Sequence, residues 1–229
     1  MADDRAQARP TKPEIEIAVL DAGLDDADWP VGFDKVVHRL SEVRATGARI
    51  SLSEADIDEW EWNAQAITLS SAATQRLLAA LPGDSELADS VRQMKKMHEQ
   101  LKWGNPIGLS LYTRGFLVSL RGEPLYGGVF LEAVSERRVD VPVFRTSLVD
   151  GRVVFHVLPV HLPFLMVDPG SADHDVTIDH VAPEARDDWQ MAKMMWRRAY
   201  GPDAVRIRHT LFDARLHAAL QQSGKLSTR

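Results

Sequence analysis

Residues 115–134 read GFLVSLRGEPLYGGVFLEAV, and residues 141–160 read VPVFRTSLVDGRVVFHVLPV. Each stretch is a pair of apolar runs about a turn, Arg121-Gly122-Glu123 in the first and Val149-Asp150-Gly151 in the second. Asp-Gly is a strong hairpin signal, because both central residues of the tightest turn need a positive φ that Gly, Asn and Asp tolerate. Four strands in sequence predict an antiparallel β-meander over roughly residues 107–160. In the last run Val153, Phe155 and Val157 share one face while Val154, His156 and Leu158 share the other. Both sets look apolar, so this strand is expected to be central and covered on both sides. No lysine or helix start follows Gly127-Gly128 as a phosphate loop would require. Glycines inside a strand instead predict a bulge or a close approach of two backbones.

Working outward, the period changes from 2 to 3.6 on the N-terminal side. Phe33, Val36, Val37, Leu40 and Val43 fall at helical spacing and Gly47 supplies the stop. Ser70 is a cap for a helix whose Leu77, Leu78 and Leu81 are expected to face inward until Pro82-Gly83. Leu87, Val91, Met94, His98 and Leu101 predict another helix, ended by Gly104 and Asn105-Pro106. Between these lie two strand-like pieces. EIEIAVL (14–20) reads as a strand that begins at an edge and ends buried, and WEWNAQAITL (60–69) as two short strands about an Asn-Ala turn.

On the C-terminal side a helix is expected from Pro183 until Gly201-Pro202, with acids early and Lys193, Arg197 and Arg198 late to match its dipole. A short VRIRH segment (205–209) follows. Thr210 and Asp213 then read as a capping box for a helix burying Phe212, Leu216, Ala219 and Leu220. These elements make a single α+β domain over 13–224, with a helix-rich half (13–104) and a sheet with two helices (107–224). Residues 1–12 are expected to be a disordered tail and 225–229 a loose one.

Composition narrows the functional classes. The chain has 229 residues, 45% hydrophobic and 26% charged, close to a soluble globular average. It has no cysteine, which excludes disulfides, thiolate-bound metals and a thiol nucleophile. No run approaches the roughly 18–20 apolar residues of a spanning helix, so a cytoplasmic protein with no membrane partner is expected. The formal charge is -6, which argues against a dedicated nucleic-acid binder. The charge is uneven, however: residues 1–100 hold 19 acids and 11 bases, whereas 101–229 hold 14 and 16. Arg197, Arg198, Arg206 and Arg208 therefore form the candidate nucleic-acid set.

The segment MVDPGSADHDVTIDHVA (166–182) carries the densest set of metal-capable side chains. If 173–180 is extended, Asp173, Asp175 and Asp179 point one way and His174 and His180 the other, so carboxylates and imidazoles diverge. The calcium-loop pattern fails as well, since the sixth residue from Asp173 is Ile178 and not glycine. Asp173, His174, Asp175 and His180, with His156 or His161 from the sheet, remain a candidate set for one divalent metal ion in a hydrolase or other small-molecule enzyme.

No G-x-S-x-G elbow is present, and no catalytic residue is assigned. Lacking a convergent catalytic set, the sequence is read first as a non-enzymatic protein-interaction or regulatory protein of inhibitor or immunity type, without a cofactor. Its expected partner is a protein, and a homodimer is compatible with the same reading. Trp60, Trp62, Tyr112 and Tyr126 are the candidate contacts, because large aromatics dominate interface cores. A nucleic-acid-associated factor acting through the C-terminal arginines is the third reading.

Overall fold

The computed structural model describes residues 14–83, 87, 92, 93, 96, 106–132, 135, 139–159 and 202–228. In chain order these form β1 (Ile15–Gly23), α1 (Phe33–Thr46), β2 (Ile50–Ser53), a short 3-10 turn (Glu54–Asp56), β3 (Ile57–Glu61), β4 (Ala66–Leu69) and α2 (Ser71–Ala80). Next come α3 (Pro106–Leu111), β5 (Arg114–Leu120), β6 (Glu123–Phe130), β7 (Val143–Val149), β8 (Arg152–Leu158), α4 (Pro202–Leu211), α5 (Ala214–Gln222) and β9 (Leu226–Ser227). The strands make one nine-stranded sheet of order β2-β1-β5-β6-β7-β8-β4-β3-β9. It is an α+β fold with a mostly antiparallel sheet. The half of the chain that reads as helix-rich supplies four of its strands.

Both hairpins of the decisive stretches form. Arg121 and Gly122 have φ of 52° and 83°, and Asp150 and Gly151 have 49° and 75°, the signature of two-residue turns that match strand twist. The two hairpins do not continue into one another as a meander. β6 and β7 lie side by side in parallel, with Val129 opposite Val143 and Phe130 opposite Phe144. Gly128 makes this junction: a Cβ there would lie 1.8 Å from the Pro142 carbonyl oxygen, which accepts the Val129 N–H at 3.1 Å. Gly115 and Gly127 have another purpose, opening the opposite face of the sheet to the side chain of Leu40 on α1.

Each face of the sheet has its own core. On one, Phe116, Phe130, Phe144 and Phe155 pack with Ile17, Trp60, Ile67 and Tyr126 beneath Leu77 of α2, Ile107 of α3, Leu211 of α4 and Leu216 of α5. Phe144 stacks on Phe116 at 3.7 Å and on Phe155 at 5.2 Å, with Phe130 edge-on to all three. On the other face Val36 and Leu40 of α1 cover Ala18, Leu20, Leu117 and Val129.

Several expectations change. β1 is an inner strand whose Ile15 is already buried, because β2 takes the edge. Ser70 does cap α2, accepting from the Ala73 N–H at 3.1 Å, but Leu78 points outward at 42% exposure. The VRIRH segment is helical. Pro202 opens α4, as suits its fixed φ. Asp213 is the N-cap of α5, accepting from the Arg215 N–H at 2.7 Å. Thr210 donates back to the Arg206 carbonyl. Residues 226–227 of the expected loose tail form β9 against β3. The helices expected over 85–104 and 183–200 lie outside the continuous described segments.

Candidate functional site

Helix α1 packs on β1, β5 and β6, and beyond them the same face of the sheet changes character. Register places Arg145 of β7 opposite His156 of β8, His156 opposite Ala66 of β4, and Ala66 opposite Glu61 of β3. A second row runs Ser147, Val154, Thr68, Glu59. With strands about 4.8 Å apart, cation, imidazole and carboxylate are set in line across four strands. β8 is central, as its pattern suggests, but only its Val153, Phe155 and Val157 face is fully covered. On the other face His156 is exposed.

These groups act on one another. Partial desolvation of a ring that still reaches solvent holds the His156 imidazole below its ordinary pKa, the Arg145 cation adds to that effect, and Glu61 opposes it. Burial also lowers the Arg145 guanidinium, opposed by Glu132. Glu132 follows β6 and turns into the core, where its Oε1 lies against Gly108 of α3 and near Thr146 Oγ1. That oxygen has no hydrogen-bond partner among the described residues. Burial pushes the carboxyl up to about 7, against the pull of Arg145.

A pKa raised from 4.5 to about 7 means that the folded chain favours the proton. The stability this contributes is complete below about pH 4.5 and is lost as pH rises through about 7, by up to about 3 kcal/mol. Glu132→Gln should therefore be about 2 kcal/mol more stable than the parent at pH 8 and gain nothing at pH 4. Urea denaturation at the two pH values reads this directly, and an equal shift at both would contradict it.

Ser147 Oγ lies 2.9 Å from His156 Nε2, within the range of a nucleophile and its base. Among the described residues the ring makes that one hydrogen bond, and none orients it from its second nitrogen as a triad requires. Its lowered pKa also weakens it as a base. An open cleft elsewhere, lined by Glu16, Ser41, Arg44, Leu117 and Ser119, has its charges paired, with Arg44 Nη2 2.5 Å from Glu16 Oε1.

Of the aromatic contacts expected from sequence, Trp60 and Tyr126 are wholly buried, so neither can touch a partner. The reason is register: Trp60 shares a row with Ile67 and Phe155 on the core face. Trp62 packs edge-on against Phe212 at 5.4 Å and His217 at 5.0 Å. Tyr112 is half-buried, its hydroxyl 2.9 Å from Ser135 Oγ.

Of the metal set, Asp173, His174, Asp175, His180 and His161 lie outside the described residues, as does the rest of the 168–180 segment. Among the described residues no three His, Asp or Glu side chains are placed to share an ion. Arg197 and Arg198 also lie outside. Arg206 is exposed, pairs with Asp34 at 2.8 Å and sits over the Phe33 ring, whereas Arg208 is buried.

The feature that residue types alone do not reveal is the hairpin tip beside the polar rows. Leu148 and Val149 are 55% and 50% exposed. They are flanked by Arg152, whose Nη1 donates to Asp58 Oδ2 at 3.0 Å. No family model matches the chain, and no curated protein or solved structure matches it either.

Proposed function

We propose that the protein is a non-enzymatic binding module of regulatory, inhibitor or immunity type. It meets a protein partner with the face of the β7-β8-β4-β3 half-sheet that carries Arg145, His156 and Glu61. The observation that carries this reading is Val149, exposed at the hairpin tip on the same face as Arg145 and Ser147, with Leu148 exposed beside it on the opposite face of the strand, where a tight Asp-Gly turn needs no apolar neighbour. An exposed aliphatic tip that a partner can clasp from both sides, next to a field of charged and hydroxyl groups, has the make-up of an interface, an apolar contact with a polar rim. The charge row supplies orientation: a partner must place a carboxylate near Arg145 and a cation near Glu61, about three strand spacings or ~14 Å away.

The test is a double substitution. Leu148→Asp with Val149→Asp touches no core contact, so unfolding should shift by no more than about 0.5 kcal/mol. Pull-downs from cells that make the protein should then lose a partner that the parent chain retains. Identical partner sets for parent and variant would contradict the reading.

A further inference from the structure

We propose that the outer edge of β3 is a docking groove for a basic, extended peptide, held closed in this chain by its own residues 225–228. β9 is two residues long and runs parallel to β3, with Leu226 opposite Trp60 and Ser227 opposite Glu61. The Trp60 N–H donates to the Lys225 carbonyl at 2.7 Å and the Trp62 N–H to the Ser227 carbonyl at 2.8 Å. Asn63 Nδ2 reaches the Thr228 carbonyl at 3.5 Å. Leu226 packs its half-buried side chain against the core. This is strand addition performed in cis: main-chain bonds give the hold and alternate side chains give the selectivity.

Charge indicates what else would fit. β3 reads IDEWE, with Asp58, Glu59 and Glu61 in five residues. The segment lying on it reads KLST (225–228), with one base and no acid. The segment leaves α5 at Gly224, whose φ of 70° lets the chain turn. A two-residue strand and one half-buried leucine are a hold that a competing strand can match. Because a tethered segment competes at an effective concentration in the millimolar range, a free peptide should bind the intact chain only weakly. The groove's preferred ligand is an extended segment with a base followed by an aliphatic residue. This proposal concerns the outer edge of β3, beyond β4 and β8 from the hairpin strand β7.

The experiment uses the full chain and a fluorescent synthetic peptide, Gly-Lys-Leu-Ser-Thr-Arg, followed by anisotropy. Leu226→Asp removes the apolar anchor and sets a carboxylate beside an acidic strand, releasing the segment. This variant should bind the peptide at least ten-fold more tightly than the parent, and a peptide with Asp in place of its Leu should not bind. If Leu226→Asp fails to fold, a second chain decides. Glu61→Cys with Ser227→Cys joins two register partners in a chain that has no other cysteine, and parallel neighbours suit a disulfide. Oxidation should lower peptide binding at least ten-fold relative to the reduced form. Equal binding by Leu226→Asp and parent, or by the oxidised and reduced chains, would overturn the proposal.

Discussion

Gly128→Ala should lower stability by about 3 kcal/mol or more, or abolish cooperative unfolding altogether. The new Cβ would sit 1.8 Å from the Pro142 carbonyl oxygen and 2.7 Å from its carbon, both backbone atoms with no rotamer to retreat into. Relief requires β6 and β7 to part where the Val129 N–H meets Pro142, the place at which the two hairpins become one sheet. Gly127→Ala is the control. Its Cβ meets a terminal carbon of Leu40 and the Phe116 carbonyl, both at 2.8 Å, so part of the strain can relax and a loss of about 1–2 kcal/mol is expected. Chemical denaturation of the two variants would show Gly128→Ala as much the worse, and equal losses would contradict the account of the junction.

Phe144→Ala should cost about 3–5 kcal/mol. Phe144 is the middle ring of the stack, lying between Phe116 and Phe155 with Phe130 against its edge. Removing it leaves three aromatic neighbours around a void, and the rigid sheet backbone limits collapse. Phe144 also sits at the parallel junction, opposite Phe130, so its loss weakens the same seam from the core side. Phe144→Leu should recover a good part of the stability by refilling the volume. A loss below about 1 kcal/mol for Phe144→Ala would mean that the stack is not the centre of the core.

The local rules were legible where turns and periods decide. The Asp150-Gly151 turn fixes Val149 opposite Arg152 and, counting back along the strands, Arg145 opposite His156. That cross-strand pair can thus be derived from the residues themselves. The continuation of the row to Glu61 could not, because it depends on β4 and β3 joining the sheet from far earlier in the chain. The same gap explains Trp60. Alternation separates its face from that of Glu59 and Glu61, but only the sheet order says which face is buried.

The parallel seam was hidden for a related reason. Gly127-Gly128 announces a close approach of backbones without naming the partner, and Pro142 is the partner. β9 was missed because two residues are too few to show a period. Glu132 left a faint sign, an acid directly after the apolar run Val129-Phe130-Leu131. Its burial depends on Gly108, which the fold brings to it from another element.

The central functional claim is that the open half-sheet face and its hairpin tip make contact with a protein partner. The most direct measurement places a photo-cross-linking amino acid at Val149 and, in a second chain, at His38 on the exposed side of α1, with irradiation in cells that make the protein. A discrete adduct of one mass is expected from position 149, none from position 38, and loss of the adduct when Arg145→Glu reverses the neighbouring charge. No adduct at 149, or the same adducts from both positions, would contradict the claim.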